Sequence, residues 1–579
     1  MDKHTYQYLH KDAITALKEQ RLLSALQSLQ GMASSLKEWN IKEETDTLID
    51  SYQILLSYLV KGAADPERNK MYKSFERRAY ELADMLERAG DLQNDTSFYA
   101  TSLRTLQNLH GTQFTLSDLL QEGVNARDIF DAIWLSGAWT VADETAVANF
   151  MANREVIENL KCLVLSATTL SAMRYFDIAK YRVLLDNALS DEIKIRVRAL
   201  VGLIFVHIAH PERTLLYPEV STRLRLMLDI PSFASQLELL QSQLFLSLET
   251  KRIERNLQEE IIPQVMKRIE KLHIDRSLGL DEIKDKLSEA DLNPEWEEDG
   301  RPSKLAQYMH EFVELQERGA DMYMGSFKVL KQRFSFFNVV CNWFYPFTMN
   351  HPELPKGLSN IRMLKILISR TGLCDSDKYS FCLMTSQMQN NIKADMQEFM
   401  ENAGALEITD DVEKDPEFQF KDELRSYVQG FYRFCNLYLH HEEFFNPFQQ
   451  NIFLADYVPF KQLLDDDDML LRLADFVFKD KSFHMALDLY HKLPQDKFTP
   501  NIYQKIGYCY EQIGNAENAI NQYERANLLK PHSKWTIKRL ATCARTTGNY
   551  EKALDYYTQL EEFLPEDADV AIHQAESLI

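Results

Sequence analysis

A 34-residue period near the C-terminus constrains this chain more than any other feature. Ala486, Ala519 and Ala553 stand 33 and 34 residues apart, and each is followed four residues later by a tyrosine: Tyr490, Tyr523 and Tyr557. Upstream of each alanine comes an apolar residue paired with a small one: Leu473-Ala474, Ile506-Gly507 and Leu540-Ala541. The second and third units also share Gly514 and Gly548, then Pro531 and Pro565. Small residues at fixed places in such a unit predict two antiparallel helices that cross too closely for a large side chain. The glycine permits the tight turn between them, and the proline ends the second helix.

The run Tyr503, Ile506, Gly507, Tyr510, Gly514, Ala519, Tyr523, Ala526 and Pro531 resembles the tetratricopeptide (TPR) family. The unit from Ile537 to Pro565 matches almost as well, with Ala544 in place of the usual aromatic. The unit at 467–494 is degenerate, lacking the turn glycine. The resemblance covers about a fifth of the chain and implies stacked helix pairs whose first helices line a concave groove for a partner's peptide or helix. Carried onto this sequence, the groove positions are Asn501, Gln504, Tyr508 and Glu511 from the second unit, and Trp535, Lys538, Thr542 and Arg545 from the third. The first unit offers Asp468 and Asp475. Family members that clamp acidic chaperone tails use a wider set of lysines and asparagines, and the acidic first-unit positions here depart from that pattern. Lys538 and Arg545 lie two turns apart on one helix face, where they could meet carboxylates.

Adding one period to Ala541 gives Ala575, so the sequence stops within the first helix of a fourth unit. The apolar stripe Ala571, Ala575, Leu578 and Ile579 is unlike a polar cap, and the expectation is that the natural protein continues.

The N-terminal half reads as helical with weaker periodicity. Ala13, Ala16 and Ala25 fall at helix-crossing spacings within residues 1–125, where a degenerate TPR-like pair and a plain helical hairpin are both open. Long apolar helices are expected from Arg154, Glu192 and Ser232. The middle one carries Asp191 and then Val197-Arg198-Ala199-Leu200-Val201-Gly202-Leu203, which weakly resembles a HEAT repeat. These features divide the chain into helical hairpins over 1–125, HEAT-like repeats over 126–275, an irregular helical region with acidic loops over 276–460, and TPRs over 461–579. The fold class is all-α, an α-solenoid. Only 18 glycines and 17 prolines in 579 residues, about half of average usage, fit long helices with short connections.

Charge narrows the function. The formal net charge is −22, which disfavours binding to nucleic acid or docking on an anionic membrane, both of which need basic surface. Residues 281–300 hold nine acids against two bases and residues 395–423 eleven against two. They read as solvated faces and loops, with a docking strip for a basic partner as the functional alternative. The seven cysteines (162, 341, 374, 382, 435, 509 and 543) form no CxxC pair and read as buried, reduced thiols. The apolar stretch 200–209 is far short of the ~20 residues needed to span a bilayer, and the N-terminus has no apolar run of a secretory signal. A cytoplasmic protein is expected.

No phosphate-binding loop, nucleophile elbow or HExxH helix occurs in the sequence. His440-His441-Glu442-Glu443 is the most metal-like cluster, yet adjacent helical residues point about 100° apart and cannot converge on one ion. His207 and His210 read as packed histidines. The aromatic runs 334–347 and 431–448 read as core, with a peptide-capturing groove as the alternative for the first. Asp465 to Asp468 read as a charged helix start. Neither a cofactor nor a metal is expected. The leading function is a non-catalytic scaffold or adaptor that binds a protein segment in the TPR groove. A sensor with a ligand pocket in the N-terminal half, around 127–250, and an enzyme with its site in 276–460 are the alternatives. The identity of the partner and the oligomeric state are not written in the sequence.

Overall fold

The computed structural model describes residues 2–256, 324–356, 372–387, 415–461, 466–563 and 568–578, apart from 63–65, 94, 95, 113 and 122, together with the isolated residues 259, 263 and 321. The acidic stretch 281–300, residues 395–414 of the second one, Asp465, Pro565 and Ile579 lie outside the described residues. Every regular element among the described residues is a helix. The chain gathers into two units, one built from 1–227 and 246–452, the other from 228–245 and 453–579.

The first unit opens with a hairpin of α1 (Lys3–Lys18) and α2 (Leu22–Ser34). Asp2 caps α1 by accepting from the Thr5 amide at 2.8 Å. Ala13, Ala16 and Ala25, expected at helix crossings, are fully buried. The turn between the helices places Gln20 at φ 59°, and the Arg21 amide closes it on the Ala16 carbonyl at 2.7 Å. After α3 (Trp39–Val60) comes α4 (Arg68–Gln93), which packs against both hairpin helices.

The core of this unit lies around the helices Glu158–Arg174 and Ile193–Ala209, two of the three long apolar helices expected from the sequence. Both are buried on nearly every face, and each is flanked on several sides. The helix Pro416–Leu437 packs on Ile193–Ala209 and brings the two aromatic runs together. Phe344 lies 5.2 Å from Phe431 and 4.9 Å from Phe434, and Phe205 sits 4.9 Å from Phe431, all between ring centres in edge-on contacts. Phe334, Phe336, Phe337, Trp343, Phe344 and Tyr345 are buried, so the first run is core.

Several charges in this core are paired, whereas buried Lys180 donates instead to the Ser136 and Gly137 carbonyls and the Ser171 hydroxyl. Arg198, from the HEAT-like motif, is 1% exposed and bonds Glu423 at 2.6 Å. Asp377, fully buried, accepts from Lys331 and forms an ion pair with Arg433 at 2.7 Å, and Arg433 donates to Asp321 at 2.6 Å. Burying Arg198, Asp377, Lys331 and Arg433 is tolerable because each of them is met by an opposite charge. All seven cysteines are buried thiols, and burial pushes those of Cys162 and Cys509 up to about 12.

The second unit contains three helix pairs: Asp467–Lys479 with Phe483–Lys492, Pro500–Gln512 with Ala516–Leu529, and Lys534–Thr546 with Tyr550–Phe563. Ala568–Leu578 follows. Each helix packs on the next in order, which is a solenoid stack. The first helices start at side-chain caps: Asp466 accepts from the Met469 amide at 3.0 Å, Thr499 from Ile502 at 3.3 Å and Ser533 from Thr536 at 3.4 Å. Asp467 and Asp468 follow in the first turn, favoured there by the helix dipole.

The expected turn glycines do adopt the left-handed conformation, Gly514 at φ 82° and Gly548 at φ 76°. Lys481 takes the same position in the first pair at φ 60°. In all three pairs the next amide closes the turn: Ser482 on Val477 at 3.1 Å, Asn515 on Tyr510 at 2.8 Å and Asn549 on Ala544 at 2.9 Å. Within the second pair, a Cβ added at Gly507 would lie 2.6 Å from the Tyr523 ring, so the tyrosine occupies the space that the glycine leaves.

Candidate protein-binding face

Residues 501, 504, 508 and 511 recur at helical spacing along one face of Pro500–Gln512, and 535, 538, 542 and 545 do so along Lys534–Thr546. The structure brings several of them into contact. Gln504 donates to Thr536 Oγ1 at 2.7 Å across the two repeats. Tyr508 and Trp535 lie 6.3 Å apart between ring centres. Glu511 accepts from the Tyr523 hydroxyl at 2.8 Å and from Arg539 at 2.9 Å. Arg545 does not stand ready for a partner carboxylate: it bonds Glu576 and lies 3.0 Å from His573 Nδ1. Asn501 and Lys538 are exposed, Thr542 is half-buried with its hydroxyl donating to the Lys538 carbonyl, and Trp535 is 43% exposed.

Tyr508 belongs to a larger aromatic ledge. Phe478 and Phe483 lie 5.9 and 5.8 Å from it, and the Arg539 guanidinium stands 5.3 Å from the ring centres of both Tyr508 and Trp535. Phe483 comes from the second helix of its pair, so the groove positions expected on first helices leave it out.

The repeats are joined by a ladder of ion pairs. Arg472, Lys505 and Arg539 each directly precede the apolar–small pair of their repeat. Each reaches back to a carboxylate on the preceding element. Arg472 bonds Glu238 at 2.7 and 2.8 Å, Lys505 bonds Asp475 at 2.7 Å, and Arg539 bonds Glu511. Asp475 also accepts from the Tyr490 hydroxyl at 2.5 Å. This first-repeat acid, expected to face a partner, is therefore already engaged. Glu238 lies on the helix Pro231–Asn256, whose early turns belong to this unit and whose Leu237 and Gln241 line a crevice with Met469, Leu470 and Leu473. The cation spacing of 33 and 34 residues could have revealed the ladder's basic side, and nothing local announces Glu238.

The family model for the tetratricopeptide repeat matches residues 500–533. The helix pair Pro500–Gln512 with Ala516–Leu529 is a tetratricopeptide repeat, and the pairs before and after it share its turn geometry. An uncharacterized protein of Guillardia theta, ycf37, is 33% identical over 82 residues, 14% of this chain and 46% of that protein, so the chain spans a little under half the length of the curated relative it matches. A solved structure titled as the APC/C hetero-tetramer Cut9-Hcn1 aligns over 100% of this chain and 97% of its own at 12% identity, with a TM-score of 0.19, too low to bear on fold. Tetratricopeptide repeats generally mediate protein–protein interactions.

The other candidates resolve into packing. His207 is fully buried beside Thr214, and His210 meets the Met173 carbonyl at 3.0 Å, burial pulling its pKa down to about 3. His440 stacks on Phe98 at 4.6 Å, and Glu443 accepts from the Phe98 amide at 2.9 Å, capping the helix Phe98–His110. Among the described residues no group of three or more His, Cys, Asp or Glu side chains is placed to hold a metal ion, and no helix is long and apolar enough to cross a membrane. In the N-terminal half, a cavity of about 570 Å³ opens between Leu120, Phe150 and Leu160.

Proposed function

We propose that the chain is a non-catalytic scaffold whose tetratricopeptide repeats hold an extended segment of a partner protein. The observation that carries this reading is the ledge formed by Phe478, Phe483, Tyr508 and Trp535, partly exposed and backed by Arg539. Aromatic side chains of this kind supply large contact area at little entropic cost and dominate interface energetics. The carboxylates Asp475 and Glu511 are neutralised within the ladder, as is Arg545 by Glu576. Lys538 is left as an exposed cation on the same helix face, with no ion pair among the described residues. The segment that fits is one with an apolar anchor for the ledge and an acidic residue for Lys538.

A displayed peptide library selected on the full chain tests this. Enriched peptides should combine an aromatic or aliphatic anchor with an acidic residue. They should lose at least tenfold in affinity on Trp535→Ala/Lys538→Glu. Peptides that bind the double variant as tightly would place recognition elsewhere and sink the proposal.

A further inference from the structure

A second site lies in the first unit, away from the repeats. α1, α4, the ends of the helices Glu158–Arg174 and Ile193–Ala209, and residues 442–445 line an open cleft of about 420 Å³. Most charges on its wall are already paired. Arg213 bonds Asp84 Oδ1 at 2.8 Å, Arg174 bonds Asp91 at 2.6 Å, Lys18 reaches Glu212 at 3.4 Å, and Glu443 caps a helix.

Two carboxylates and an imidazole nitrogen remain short of partners. Asp84 is 8% exposed, and its second oxygen, Oδ2, is buried with no hydrogen-bond partner. His10 Nε2 is likewise buried and unbonded. Glu87, one turn from Asp84 on the same face of α4, has His10 as its nearest partner at 3.5 Å, too far for a good hydrogen bond. Exposed Glu442 adds another carboxylate at the wall. Buried acceptors without donors are costly, and an acid pair facing a neutral imidazole calls for a cation. Burial holds the Asp84 and Glu87 carboxyls up at about 7, and it lowers His10, which therefore brings no compensating charge.

We propose that this cleft binds a primary ammonium group on an alkyl stem. Its three N–H donors match Asp84 Oδ2, the Glu87 carboxylate and His10 Nε2, and Ile14 and Met173 on the wall provide apolar surface for the stem. The ammonium can come from a lysine side chain of another protein or from a free aliphatic diamine.

Calorimetric titration of the full chain with a capped lysine, with cadaverine and with n-pentanol decides the matter. A cationic probe should bind where n-pentanol does not, a comparison made on the wild type and needing no variant. Glu87→Gln, which removes one partly exposed charge, should weaken that binding about tenfold. Binding of the capped lysine alone assigns the site to a protein partner, and binding of cadaverine alone to a free diamine. If neither cation binds, if n-pentanol binds as well as they do, or if Glu87→Gln leaves the affinity unchanged, the proposal is overturned.

Discussion

Arg539 bonds the Glu511 carboxylate of the preceding repeat at 2.9 Å while its guanidinium covers the rings of Tyr508 and Trp535. One side chain thus ties two repeats together and supports the aromatic ledge. Both partners are partly exposed, so the pair alone is worth little. A double-mutant cycle of Arg539→Ala and Glu511→Ala should give a coupling of about 0.5–1 kcal/mol in urea unfolding. No measurable coupling would mean that the pair contributes register but not stability.

Trp535 is held chiefly by an edge contact with Tyr523 at 5.6 Å and by Arg539. Its replacement by alanine should cost the fold about 1 kcal/mol or less while reducing affinity for selected peptides at least tenfold. A large fall in the unfolding midpoint, with peptide affinity retained, would recast Trp535 as a packing residue.

Gly507 makes room for Tyr523. Gly507→Ala should destabilise the repeats by about 1–3 kcal/mol, because ring and backbone must separate. Gly507→Ala/Tyr523→Leu should recover part of that loss. Chemical denaturation of the three proteins checks both statements.

Lys481 bears the left-handed backbone cost that Gly514 and Gly548 avoid. Lys481→Gly should therefore stabilise the first repeat by about 0.5–1 kcal/mol, raising the urea midpoint at constant slope.

His210 is kept neutral by burial, with its pKa lowered to about 3. The unfolded chain takes up this proton near pH 6.5, so stability linked to His210 falls as pH drops below about 6.5 towards 3. Asp84, Glu87 and Asp131, held up at about 7, act in the opposite sense: their contribution is lost as pH rises from about 4 through 7. His210→Gln keeps a donor for the Met173 carbonyl. Relative to it, the wild type should lose stability on acidification between those limits. Parallel midpoints across that range would contradict the assignment.

The repeats were legible because their period fixes backbone demands that few residues meet. Gly514 and Gly548 declare the turns, and Gly507 and Ala519 the helix crossings, by spacing alone. The first repeat hid its turn because Lys481 adopts the left-handed conformation without being glycine. The groove positions could be placed on helix faces but not assigned contacts. Nothing in the sequence tells Arg545 that Glu576 will meet it. The aromatic runs could be read as core, whereas the encounter of Phe344 with Phe431 joins segments 87 residues apart, and no local pattern encodes that. Asp84 and Glu87 read as ordinary acids of an amphipathic helix. The burial of Asp84, and the place of Glu87 on the cleft wall, are set by α1 and by the ends of Glu158–Arg174 and Ile193–Ala209, which come from elsewhere in the chain.

The rungs of the ladder differ greatly in reach. Lys505 to Asp475 closes 30 residues and Arg539 to Glu511 closes 28, whereas Arg472 to Glu238 closes 234. Closure entropy grows with loop length, and non-local pairings form late. The repeats can therefore zip among themselves as soon as they exist, while their outermost face waits for a distant helix to be delivered. Leu237, Leu240 and Leu244 on that helix are buried in the finished fold. The time between zipping and delivery is the interval in which that apolar face stands open to a holdase, to a second copy or to aggregation.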